Sequence, residues 1–124
     1  MSAPMHKVLV VDDDPDMRDV LNTALASMGY EILVADDGDV ALSLFEEHRP
    51  HLVVSDIYMP RFDGIKLLHK IKEADTTIPV ILITGYSHTN ASARESSVQP
   101  DALLRKPFAL RDLLETIRQV SEVH

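Results

Sequence analysis

Four short apolar runs punctuate the chain: Val8-Leu9-Val10-Val11, Ile32-Leu33-Val34-Ala35, Leu52-Val53-Val54-Ser55 and Val80-Ile81-Leu82-Ile83, with a weaker fifth at Ala102-Leu103-Leu104. Each is continuous rather than alternating, the pattern of a parallel strand covered on both faces. The stretches between them carry helical spacing. Met17, Val20, Leu21, Ala24, Leu25 and Met28 fall at i, i+3, i+4 and i+7, with Asp14 placed as N-cap, Pro15 at the first helical position and Gly29 as the stop. Ala41, Leu44 and Phe45 mark a second helix, Ile65, Leu68 and Ile71 a third, and Leu110, Leu113, Leu114 and Ile117 a last one. The interval from Ser87 to Pro100 is polar, with only Ala91, Ala93 and Val98 as apolar anchors, so its helix is expected to be short and loosely held.

Strand and helix in strict alternation, repeated five times, predict an α/β domain: a three-layer, doubly wound parallel sheet with right-handed crossovers. Such folds bind ligands beyond the carboxyl ends of the strands, at the point where strand order reverses. The residues that follow the runs are Asp12, Asp13 and Asp14 after the first, Asp56 after the third, Thr84 after the fourth and Lys106 after the fifth. Singly, each is an ordinary turn, cap or surface residue. Jointly they put several chemically active groups at one rim from distant parts of the chain.

Carboxylates crowded at one rim repel each other and resist ionisation unless a cation joins them. All-oxygen ligands select a hard ion, and magnesium takes one or two carboxylates while keeping waters and a phosphate oxygen. A hard cation, a lysine and a hydroxyl beside a carboxylate are the parts needed for phosphoryl transfer, in which positioning and charge neutralisation carry most of the catalysis. Asp56, alone at the end of the central run, suits the nucleophile. Asp12 and Asp13 suit the metal, Lys106 a phosphoryl oxygen and Thr84 a hydrogen bond to another.

The pieces Val10-Val11-Asp12-Asp13, Ser55-Asp56-Ile57-Tyr58-Met59-Pro60 through Asp63-Gly64, Ile83-Thr84-Gly85 and Lys106-Pro107-Phe108 together resemble the response-regulator receiver family, from Lys7 to about Val123. The resemblance implies a flavodoxin-like, five-stranded sheet of order 2-1-3-4-5. It implies Asp56 as phosphoacceptor, Thr84 as switch hydroxyl, Lys106 as the phosphate-pairing lysine followed by a cis bond to Pro107, and Asp12, Asp13, Asp56 and the backbone carbonyl of Tyr58 around Mg2+. It further implies transfer from a phosphohistidine on a sensor histidine kinase or histidine phosphotransfer protein, with phosphate shuttling in a phosphorelay or hybrid kinase as the alternative. The domain is then a phosphoacceptor signalling domain rather than an enzyme acting on others, catalysing only its own phosphorylation and dephosphorylation. A downstream effector is expected on the face made by the 87–100 helix, the fifth strand and the last helix, where Arg105, Arg111 and Arg118 lie.

The chain departs from the family pattern at Leu103, where many members carry an aromatic residue that turns inward, so Leu103 reads as core. Tyr58 and Tyr86, two residues past Asp56 and Thr84, are bulky and are expected to slow loss of the phosphoryl group. Gly85 leaves space for that group, while Gly64 reads as a turn leading into a helix and Met59-Pro60 as a rigid loop.

At 124 residues and 45% apolar, the chain supports one domain, read as a tail over 1–6 and a receiver domain over 7–124. It has no cysteine, no long apolar span and no signal-peptide pattern, so a cytoplasmic location is expected. A formal net charge of −8 argues against direct nucleic-acid or membrane binding, and a monomer or weak dimer is expected. The rival readings fit less well. An aspartyl-intermediate phosphatase or dehalogenase usually needs a second acid where Tyr58 stands, and a pseudo-receiver normally lacks part of the constellation. A flavodoxin-like cofactor binder wants a Ser, Thr and Gly loop where Asp12 to Asp14 lie. His48 and His51 read as solvated turn residues.

Overall fold

The computed structural model describes residues 7–59, 63–85 and 98–123. The expected tail over 1–6, Pro60, Tyr86 and the helix sought within 87–97 lie outside the described residues; 98–100 form no regular element. Five strands are present: β1 (Lys7–Val11), β2 (Glu31–Ala35), β3 (Leu52–Asp56), β4 (Val80–Thr84) and β5 (Ala102–Arg105). Helix α1 (Pro15–Ser27) follows β1, α2 (Gly38–His48) follows β2, α3 (Gly64–Ala74) follows β3, and α4 (Leu110–Val123) follows β5. All strand pairs are parallel and the sheet order is β2-β1-β3-β4-β5.

Side chains alternate across the sheet and so feed two cores. Leu9 and Val11 of β1 and Val53 of β3 pack with Phe45 of α2 and with Leu67, Leu68 and Ile71 of α3. Val8 and Val10 of β1 and Val54 of β3 face the opposite way, onto Leu21 and Leu25 of α1 and onto Leu113 and Ile117 of α4. The inner strands β3 and β4 are buried at every position, which is why their sequences run without polar interruption. The edge strand β2 is covered less well, and its Val34 remains 38% exposed.

Aspartates set where three helices begin. The side chain of Asp14 accepts from the Asp16 N–H at 3.0 Å, that of Asp37 from Val40 at 2.8 Å and that of Asp63 from Lys66 at 2.9 Å. Each satisfies a donor that the first helical turn leaves unpaired. α1 stops where Gly29 adopts a φ of 92°, and α2 where Arg49 turns left-handed at a φ of 49°. At the end of the sheet opposite to these caps, Lys72 of α3 closes a clasp. Its Nζ donates to the Ile78 carbonyl at 2.7 Å and to Asp101 Oδ2 at 2.9 Å, and the same oxygen accepts from the Val80 N–H at 2.7 Å.

Candidate functional site

Parallel register brings the expected groups together. Val11 pairs with Ser55, so Asp12 and Asp56 come next to each other at neighbouring strand ends. Asp56 pairs with Ile83 and Thr84 with Arg105, which places Thr84 and then Lys106 on the other side of Asp56. Asp56 and Thr84 are the last residues of their strands rather than the first of their loops, so the sheet's own hydrogen bonding holds them.

One carboxylate oxygen each from Asp12, Asp13 and Asp56 lies within 4.8 Å of the others. Asp12 is fully buried and Asp56 is 7% exposed, whereas Asp13 is open to solvent. Lys106 Nζ sits 3.5 Å from Asp12 Oδ2 and 3.5 Å from Asp56 Oδ2, a single cation set between two buried anions. Asp12 Oδ1 accepts from the Asp14 N–H at 2.9 Å, but Asp12 Oδ2 is enclosed and accepts no hydrogen bond. Asp56 Oδ1 accepts a long bond, 3.4 Å, from the Tyr58 N–H. Thr84 is 2% exposed, and its hydroxyl donates at 3.5 Å to the Gly85 carbonyl. The Lys106-Pro107 bond is cis.

The electrostatics are unresolved by the protein alone. Burial raises the Asp56 carboxyl above the ordinary aspartate value of 3.8, against the opposing pull of Lys106 and the Tyr58 N–H. Burial likewise raises Asp12, with the Asp14 N–H and Lys106 pulling it down and the charges of Asp56 and Asp13 pushing it up. One lysine does not neutralise three carboxylates. The carboxylate donors that face inward are all oxygens, one of them buried without a hydrogen bond, which is the donor set of a hard divalent cation.

Gly64 holds a place the sequence reading assigned only to a turn. A Cβ there would stand 2.4 Å from the Asp56 carbonyl oxygen and 2.9 Å from Ile57 Cα, both backbone atoms. The Gly64 N–H donates to the Ile57 carbonyl at 2.8 Å, so α3 abuts the main chain that carries Asp56. Leu103 is partly buried and packs on the core beneath α2 and α3. Beside Lys106, a cavity of about 420 Å³ is lined by Met17, Val20, Leu21, Phe108 and Leu110.

Residues 8–118 match the model of the response regulator receiver domain. The chain belongs to that family. Similar curated proteins include the response regulator MprA of Mycobacterium sp. strain KMS, 35% identical over 112 residues, covering 90% of this chain and 49% of that protein. The probable transcriptional regulator ycf27 of Porphyridium aerugineum is 34% identical over 115 residues, covering 93% and 48%. The chain thus spans about half the length of these relatives. Among solved structures, a CheY-like response regulator receiver domain protein from Methanospirillum hungatei is 31% identical with a TM-score of 0.87, covering 96% of each chain. TrrA of Thermotoga maritima is 32% identical with a TM-score of 0.84, covering 94% of this chain and 99% of that one. The chain is a receiver domain of the two-component response regulators, with the sheet order read from the resemblance. None of the receiver's described helices is long and apolar enough to cross a membrane.

Proposed function

We propose that this receiver domain accepts a phosphoryl group on Asp56 from a phosphohistidine carried by a sensor histidine kinase or a histidine phosphotransfer protein. The observation that carries the reading is the shared contact of Lys106 with Asp12 and Asp56, 3.5 Å from each, where the enclosed Asp12 Oδ2 accepts no hydrogen bond. An Asp56 oxygen forms the new bond to phosphorus as the phosphorus–nitrogen bond to the donor imidazole breaks. Lys106 neutralises a phosphoryl oxygen, and the Thr84 hydroxyl, whose bond to Gly85 is long, turns to donate to another. Asp12, Asp13, Asp56 and the Tyr58 carbonyl would hold Mg2+, and the solved TrrA structure, a complex with Mg2+ and BeF, supports that assignment. When bound, the ion supplies positive charge beside the phosphoryl oxygens and relieves the repulsion among the carboxylates.

Phosphorylation replaces one negative charge by about −1.5 to −2 charges and adds three strong acceptors. Thr84 and Lys106 are drawn toward them, and the change passes to a surface on β5 and α4, where an effector binds. A decisive flip of a two-state surface needs a preference of about 5.5 kcal/mol. The test is incubation with acetyl phosphate and magnesium, followed by measurement of acid-stable, base-labile label. Label is expected on wild type and absent from Asp56→Asn; label of the same stability on that variant refutes the assignment.

A further inference from the structure

Among the described residues four polar side chains are buried, those of Asp12, Ser55, Asp56 and Thr84, and the chemistry above uses all but Ser55. Ser55 is fully enclosed in the central strand after Leu52, Val53 and Val54, and is registered against Val11 and Leu82, both in the core beneath α2 and α3. Side chains in register share a face of the sheet, so the hydroxyl points into that apolar layer. A hydroxyl there is costly unless it is bonded, and alanine would occupy the place without that cost. The bond it makes goes to the phosphoacceptor itself: Ser55 Oγ donates to the Asp56 carbonyl at 2.9 Å.

That carbonyl is also the one that Gly64 approaches too closely for a Cβ. The same peptide group is held at its other end, where the Ile57 N–H donates to the Ile83 carbonyl at 2.9 Å, and the next carbonyl, that of Ile57, accepts from the Gly64 N–H at 2.8 Å. By contrast, the Asp56 carboxylate is gripped loosely, with the Tyr58 N–H at 3.4 Å and Lys106 at 3.5 Å. Its direction therefore follows the backbone torsions of Asp56, and the orientation of the Asp56 carbonyl is one of these. We propose that Ser55 is a positioning residue for phosphoryl transfer: its hydroxyl locks the peptide plane after Asp56 and so aims the carboxylate at the incoming phosphorus. The inference rests on Asp56 as the phosphoacceptor. Ser55, having no exposed surface, acts through that backbone and not on the donor.

The experiment compares wild type with Ser55→Ala, Ser55→Thr and Val53→Ala. Val53 lies earlier on the same face and is equally buried, so its truncation weakens the core without removing the bond to Asp56. Ser55→Thr keeps the hydroxyl while its added methyl tightens the packing. The melting temperature is expected to fall by roughly 2–5 °C in Ser55→Ala and by roughly 5–10 °C in Val53→Ala. Labelling by acetyl phosphate at saturating magnesium is expected to rank them the other way, with Ser55→Ala roughly three- to tenfold slow and the other two variants within about twofold of wild type. In metal-free protein, amide hydrogen exchange at Ile57 is expected to quicken in Ser55→Ala by more than its loss of global stability explains, and in Val53→Ala by no more than that. A wild-type labelling rate in Ser55→Ala, an equal slowing in Val53→Ala, a Ser55→Thr as slow as Ser55→Ala, or Ile57 exchange that only tracks global stability overturns the inference and leaves the phosphoacceptor intact. Wild type that takes no label on Asp56 overturns both.

Discussion

Replacing Gly64 by alanine isolates how the fold positions Asp56. The added Cβ lies 2.4 Å from the Asp56 carbonyl oxygen, whereas ordinary contact begins at 3.4 Å, so about 1 Å of separation has to be found. β3 cannot supply it cheaply, because Asp56 is registered against Ile83 and the Ile57 N–H donates to the Ile83 carbonyl at 2.9 Å. The start of α3 gives way instead and strains the 2.8 Å bond from Gly64 to Ile57. Overpacking costs about 1–3 kcal/mol and a weakened hydrogen bond about 1 kcal/mol, offset by about 1 kcal/mol of helix propensity. The net loss is about 2 kcal/mol, or a fall in Tm of roughly 6–10 °C for a domain of this size. With Asp56 as the proposed nucleophile, a displacement of about 1 Å costs up to about 100-fold in rate. Gly29→Ala is the control: its φ of 92° strains any side chain, but nothing lies within 4 Å of the added atom and Asp56 is untouched. Urea unfolding and acetyl phosphate labelling are expected to show both variants destabilised and only Gly64→Ala slow to react. Equal labelling rates for the two variants, or unchanged stability in Gly64→Ala, refute the reasoning.

Three further outcomes follow from the same geometry. The carboxyls of Asp12 and Asp56 have folded pKa values raised above 3.8, so their contribution to stability is present below that pH and lost as pH rises through the raised values. Asp12→Asn and Asp56→Asn are therefore expected to melt a few degrees higher than wild type in chelated buffer at neutral pH, with the gap closing toward acid, in thermal scans across pH. Asp101→Ala removes the counter-charge of Lys72, leaving its bond to the Ile78 carbonyl, and takes the acceptor from the Val80 N–H, and is expected to cost about 3 kcal/mol; a double-mutant cycle with Lys72→Met measures their coupling, and a coupling near zero contradicts the clasp. On the proposed phosphorylation of Asp56, Tyr58→Asn is expected to speed loss of the phosphoryl group several-fold in a dephosphorylation time course, because a bulky residue at that position is expected to slow hydrolysis.

The sheet was legible because its interior strands are buried on both faces and carry no polar interruption, and the site because the residue after each apolar run sits at one rim in any doubly wound fold. Asp14 and Pro15 announced α1. Asp37 and Asp63 cap α2 and α3 in the same way, but those helices were read from apolar spacing, and aspartate beside glycine reads equally well as a turn. The Lys72–Asp101 pair joins residues 29 apart on unrelated elements, so no periodicity marks it. The closeness of Gly64 to Asp56 depends on the angle at which α3 meets the sheet, which composition does not encode. Val34 followed the rule for a covered strand and is exposed because β2 is an edge.

Lys106 enters the centre from β5, a four-residue strand with a neighbour on one side only. Edge strands open locally at lower free energy than the interior of a sheet. Warming is therefore expected to detach the cation before the core melts, leaving a chain that is still compact but chemically silent. Working temperature is then set by the hold of β4 on its last partner, and the melting point of the whole overstates it.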